Sequence, residues 1–157
     1  MKPVGPTRIR DLALTAVLTS VLSYVLVAAY YGDLPALPWT SSAAIACLAV
    51  AEGAAARGTR QRITRRPGTR PVDPLVVARL VALAKASALV GAVLLGGWLG
   101  AFGYTFLARD RLVAADRDAV VSGLGVLASL LLVAAALWLE QSCRTPPFPE
   151  DERDIPA

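Results

Sequence analysis

Glu52 and Lys85 are ionisable residues standing inside otherwise apolar stretches, and any chemistry in this chain starts from them. If those stretches cross a membrane, a carboxylate and an ammonium at one depth can lock two helices in register, or serve as a proton- or solute-coupling pair in a transport path. Glu52 lies five residues before Arg57 and Lys85 six after Arg79. At 1.5 Å per residue both fall roughly 7–9 Å inside the arginine level, on helices running in opposite directions. Each follows a small residue, Ala51 or Ala84, by one position, and in facing antiparallel helices this equal offset points both to the same rim. An intramembrane Glu52–Lys85 ion pair is therefore expected, because an unpaired charge costs about 2.5–3.5 kcal/mol at the bilayer centre.

The other candidates are weaker. The chain has no histidine, which excludes histidine-dependent catalysis, haem ligation by histidine and most zinc sites. Cys47 sits mid-stretch as a small packing residue. Cys143, beside Arg144, has no partner base in sequence to make it a nucleophile, and the two cysteines lie at different levels, so no disulfide is expected. Asp110, Asp116 and Asp118 alternate with Arg109, Arg111 and Arg117, a pattern of a solvated loop and helix cap rather than a hard-cation site. No catalytic residue, metal or cofactor is expected, and the chain does not read as an enzyme.

The elements that position these residues follow from hydropathy. Hydrophobic residues make up 55% and charged residues 18% of the 157-residue chain, against roughly 45–50% and 25% in soluble domains. The apolar residues gather into four stretches, about 12–31, 39–56, 80–107 and 119–139, each near the ~20 residues that span a bilayer core. The first is longer than the 7–15-residue apolar core of a cleaved leader, and Tyr24, Tyr30 and Tyr31 mark an interface. Gly32 to Pro38 makes a short turn into a second span opened by Trp39. Asp73-Pro74 offers a cap followed by proline at the first helical position, so a third helix is predicted from there to about Leu107. The expected fold is all-α: a polytopic, antiparallel four-transmembrane-helix bundle in one domain over 1–145, with a basic loop at 57–74 and an acidic, disordered tail at 146–157.

Charge sets the threading. Lys2, Arg8 and Arg10 precede the first span, and Arg57, Arg60, Arg62, Arg65, Arg66, Arg70 and Arg79 follow the second, whereas the 108–118 segment balances three arginines with three aspartates. Lysine and arginine near span ends stay cytoplasmic, so a multi-pass plasma-membrane protein with both termini cytoplasmic is expected. Arg57, Arg60, Arg62, Arg65, Arg66 and Arg70 are the candidate contacts for anionic lipid headgroups, worth about 1 kcal/mol each near an anionic leaflet. No aromatic residue interleaves them, which argues against nucleic acid.

Small residues at intervals of four allow close helix approach. Ala43, Cys47, Ala51 and Ala55 form one such ladder, and Ala84, Ala88, Ala92, Gly96 and Gly100 another. The two are expected to face each other within the chain, a homodimer face being the alternative use. Thr15, Thr19 and Ser23 form a polar stripe suited to backbone or interhelical hydrogen bonds.

The sequence also resembles a known family. Leu37-Pro38, Arg65-Arg66-Pro67 to Arg70-Pro71, Pro74-Leu75 to Ala78-Arg79, the run from Ala82 to Ala88, and Leu137-Trp138-Leu139-Glu140 followed by Cys143-Arg144 and Pro146-Pro147 carry the likeness. The family is DUF3180, uncharacterised small four-helix membrane proteins of actinobacteria. The resemblance implies an integral plasma-membrane protein whose relatives are often encoded beside folate-biosynthesis enzymes, and it brings no catalytic residues. Together these readings predict a non-enzymatic scaffold or accessory subunit contacting lipid and a membrane-protein partner. The alternative is a small transporter or channel component using Glu52 and Lys85.

Overall fold

The computed structural model describes residues 8–33, 35, 37–63 and 74–143. It is all-α, with four helices: α1 (Ile9–Tyr30), α2 (Trp39–Ile63), α3 (Pro74–Ala108) and α4 (Val113–Ser142). All four are long and apolar enough to cross a membrane. The tail at 146–157 and Arg65, Arg66 and Arg70 lie outside the described residues.

Two helices are longer than hydropathy suggests. α2 continues past Ala56 to Ile63, so Arg57, Arg60 and Arg62 stand on helix rather than in a loop. Nothing in Ala54-Ala55-Ala56-Arg57 or the residues up to Ile63 breaks a helix except Gly58, and alanine, arginine and glutamine favour one. α4 begins at Val113 rather than Ala119, which draws Asp116 and Asp118 into its first turns and shortens the connection from α3 to Arg109–Leu112. Its start is secured by burial, since Ala115 is fully buried and Asp118 nearly so. The negative Asp116 lies in the first turn, at the positive end of the helix dipole.

The helices pack as an open series rather than a closed ring: α1 against α3, α3 against α4, and α4 against α2. Ser42 donates to the Val121 carbonyl, and Ala56 clusters with Leu139, so α2 and α4 run parallel. The pairs Gly125 with Trp98, Gly91 with Val133, and Ala84 with Leu139 make α3 and α4 antiparallel. α1 runs parallel to α3, with Leu12 beside Ala88 and Ala92, and Ser23 donating to the Gly97 carbonyl at 2.7 Å. Consecutive helices thus alternate in direction, yet α1 and α2 occupy opposite ends of the series. The eight residues between Tyr30 and Trp39 reach at most about 29 Å extended. Tyr31, the first of them, touches both α4 and α3.

This order overturns the expected meeting of the two small-residue ladders. On α3 the residues Ala84, Ala88, Ala92, Gly96 and Gly100 are all buried, but their partners change along the helix. Ala84 joins Ala56, Leu139 and Cys143; Ala88 and Ala92 join Leu12 and Ala136; Gly96 and Gly100 meet α1. A stripe of every fourth residue drifts ~40° per step, so one ladder serves α4 at one end and α1 at the other. On α2, by contrast, Ala43, Cys47 and Ala51 are exposed and Ala55 is half-buried. The buried residues there are Ser42, Ala49, Glu52, Ala56 and Thr59, spaced by sevens, threes and fours in a heptad seam against α4. In an apolar solvent the face that gains by burial is the one bearing Ser42, Glu52 and Thr59, since alanine is already at home in lipid.

Close approach of α1 and α3 depends on absent side chains. A Cβ on Gly96 would collide with Thr19 Oγ1 and the Ala16 carbonyl, and one on Gly100 with the Ser20 carbonyl and Tyr24 N, whereas one on Gly97 would meet nothing within 4 Å. Gly100→Leu is expected to lower the unfolding midpoint in mild detergent, at a cost of about 1–3 kcal/mol or more. Gly97→Ala, on the same helix, is expected to be neutral or to gain up to ~1 kcal/mol from helix propensity. Thermal melts followed by circular dichroism check both, and equal effects would contradict this packing.

Candidate functional site

The buried polar side chains of the helices fall into three groups, set by the seams that hold them. The first is the α2–α4 seam. Glu52 is 3% exposed on the heptad face of α2, between Ala49 and Ala56. Among the described residues, its two carboxylate oxygens and Ser129 Oγ are the buried side-chain oxygens without a hydrogen-bond partner. The expected ion pair with Lys85 does not form. α2 and α3 approach α4 from different sides, and they share the cluster of Ala56, Ala84, Leu139 and Cys143 at one end. From that common level Glu52 is four residues along α2 and Lys85 one residue along α3, so their depths differ by about 4–5 Å. α4, standing between their helices, is the larger obstacle. Lys85 is half-buried and has interactions of its own.

The second group closes the end of the molecule where α1 gives way to α2. The Tyr31 hydroxyl donates to Asp118 Oδ2 at 2.9 Å, and its ring lies 5.2 Å from that of Tyr104, which also meets Tyr24 at 6.2 Å. Ser122 donates to the Asp118 carbonyl at 2.7 Å and pairs at 3.3 Å with Thr105 Oγ1, which itself bonds the Ala101 carbonyl. The connection after α1 thus meets α4 on one aspartate, 5% exposed, with α3 joined through Thr105 and Tyr104 and α1 through Tyr24. Burial, followed by the hydrogen bond and the negative charge of Asp118, pushes the Tyr31 phenol up to about 12. It remains a neutral donor at physiological pH. The expected solvated loop does not hold for Asp118, which α4 carries on its buried face. The available signal was the spacing of Asp118, Ser122, Gly125 and Ser129 on α4 by fours and threes, which puts the aspartate on the inner face.

The third group is the basic end. The Arg57 guanidinium lies 5.7 Å from the centre of the Trp138 ring, bridging α2 and α4 by a cation–π contact. Arg57 and Arg60 are both exposed, and Arg60 has further interactions. Cys143 is buried beside them, and loss of solvent raises its thiol above the usual range, which makes it a poorer nucleophile. On α1, Thr15 donates to the Asp11 carbonyl and Thr19 to those of Thr15 and Ala16, so these hydroxyls are satisfied within their own helix. Among the described residues, no three Cys, Asp or Glu side chains gather as metal ligands.

A family model described as a protein of unknown function, DUF3180, matches residues 12–147. The chain belongs to this family. Neither a curated protein nor a solved structure matches it. The matched range takes in all the helices' packed portions, Glu52 and the Tyr31–Asp118 contact included.

Removing an unpartnered buried carboxyl is expected to stabilise the fold. Glu52→Leu should raise the unfolding midpoint, by the equivalent of about 1–3 kcal/mol. A large loss instead, recovered by combining Glu52→Lys with Lys85→Glu, would restore the ion pair. The Tyr31 phenol gives a second test. Its value is raised above the ordinary 10.0, so the stabilisation it brings is complete below about pH 10 and is lost as pH climbs through about 12. In a variant with phenylalanine at 24, 30 and 104, the phenolate absorbance should appear near pH 12, and Asp118→Asn should move it down. Titration near 10 with Asp118 intact would contradict the contact.

Proposed function

We propose that this protein is an integral plasma-membrane protein with both termini cytoplasmic, acting as a non-enzymatic accessory subunit or scaffold. Its basic end, with Arg57 and Arg60 on the extension of α2, contacts anionic headgroups, and its open helix faces receive a membrane-protein partner. The threading is supported by the concentration of arginine at one end of the helices, against a balanced charge at the other.

The observation that carries this reading is the open series. α1 buries Leu12 and Ala16 and packs against α3 on one side, and α2 packs against α4 on one side. Each leaves a long face uncovered, and on α2 that face holds Ala43, Cys47 and Ala51, small enough for another helix to approach closely. A second reading, a small transporter component, is favoured by the unpartnered Glu52 carboxyl, since isolated intramembrane charges mark pathways. It now rests on Glu52 without Lys85.

Purification of the tagged protein from mildly solubilised membranes, with quantitative mass spectrometry, tests the proposal. The expected result is a membrane protein recovered in fixed ratio and lost in an Ala51→Trp variant that remains folded. Recovery alone, or only with itself, would overturn the accessory role.

A further inference from the structure

The connection end of α3 and α4 carries a groove that the packing leaves open. Phe102, Phe106, Gly123, Leu124 and Leu127 line a cavity of about 360 Å³, together with two charged residues, Arg109 and Asp116. Gly123 adds to the room in the groove: a Cβ there would rest in van der Waals contact with the Phe102 ring, 3.4 Å away. Val120, Leu124 and Leu127 are exposed, so the walls face outward from the bundle.

The two charges in the lining are of opposite sign and are not spent on each other. Arg109 lies over the Phe106 ring at 4.2 Å and reaches Asp110 only at 4.0 Å, with its side chain 47% exposed. Asp116 is exposed in the first turn of α4. The segment around them is charge-balanced, three arginines against three aspartates, so it offers a net anion no general attraction. An apolar slot whose lining includes one cation and one anion is complementary to an amphiphile that is itself zwitterionic.

We propose that this groove is a binding site for an aminophospholipid of the phosphatidylethanolamine type: an acyl chain along Phe102, Gly123 and Leu127, the phosphate at Arg109 and the primary ammonium at Asp116. The ammonium has three N–H donors for the carboxylate, which a quaternary choline lacks, and a phosphatidylglycerol, whose phosphate would also meet Arg109, has only a neutral glycerol headgroup and leaves the charge of Asp116 unpaired. The site rests on the membrane reading above and adds a lipid class to it. An exposed ion pair contributes about 0.2–1 kcal/mol, so preference for ethanolamine over glycerol headgroups should be about 1.4- to five-fold.

The test uses the full chain in nanodiscs of mixed lipid, with photoreactive acyl chains on phosphatidylethanolamine or phosphatidylglycerol, and maps crosslinks to residues 119–127. Stronger labelling by the ethanolamine lipid is expected, with the preference abolished by Asp116→Asn and labelling by both lipids reduced by Gly123→Leu. Melting curves should show Asp116→Asn folded, with a midpoint lowered by no more than the loss of one charge at the α4 helix dipole. Equal or stronger labelling by the glycerol lipid, or an unchanged preference in Asp116→Asn, would overturn the site. Alkaline extraction of cell membranes separates the two levels: release of the protein would sink the membrane reading itself, whereas retention without headgroup preference sinks only the groove.

Discussion

On the proposed membrane reading, everything in this fold follows from where a few polar side chains can be kept out of an apolar solvent. Between two leucine-covered helices in lipid there is no hydrophobic drive to associate, so van der Waals fit and polar satisfaction decide which faces meet. The chain answers with two kinds of seam. α2 turns Ser42, Glu52 and Thr59 toward α4, leaving an alanine ladder outside, and α4 turns Ser122 and Asp118 toward α3 and the end of α1. The large apolar side chains, Leu14, Leu18, Leu22, Leu131 and others, stay on the surface. A soluble protein would make the opposite choice.

The second seam is steric. Gly96 and Gly100 bring the backbone of α3 against α1 closely enough for Ser23 to donate to the Gly97 carbonyl. Gly125 does the same service for α4, where it admits the Trp98 ring. Because the α3 ladder drifts around its helix, α3 meets both α1 and α4 along its length, and α2 packs on α4 instead. The long connection after α1 is a consequence: α2 must be delivered beyond α4. Tyr31 anchors the start of that path on Asp118 and Tyr104.

The helices were legible in the sequence because length and hydropathy report directly on a span, and Pro74 marks a helix start by local chemistry alone. Their neighbours were not. A ladder such as Ala43, Cys47 and Ala51 states that close approach is available, but not whether a competing face of the same helix has more to gain. The competing heptad through Glu52 was equally visible and is the better guide, because its residues lose more in lipid. Equal depth likewise made Glu52 and Lys85 look like partners, but depth is one coordinate, and the lateral order that separates them is fixed by contacts distant in sequence, Gly96 with Thr19 and Ala56 with Leu139. Asp118 failed for a different reason: a cluster of mixed charges reads as loop, and only its periodicity with Ser122 reveals the inner face.

Glu52 is where these rules strain. At a heptad position between Ala49 and Ala56, an apolar side chain would close the seam as well, and the carboxyl adds no hydrogen bond in return for its burial. Packing therefore gives no account of why a carboxylate stands there, in contrast to Asp118, whose carboxylate accepts the Tyr31 hydroxyl. At 3% exposure it is beyond the reach of bulk solvent while α2 rests on α4. Exposing the carboxyl requires α2 to move. α2 is the helix best placed to do so: it is at the end of the series, held by α4 along one side, with Arg57 on Trp138 as its visible tether at the basic end. A partner that binds its exposed small-residue face would act on the same helix from the opposite side, which joins the scaffold and transport readings through one element.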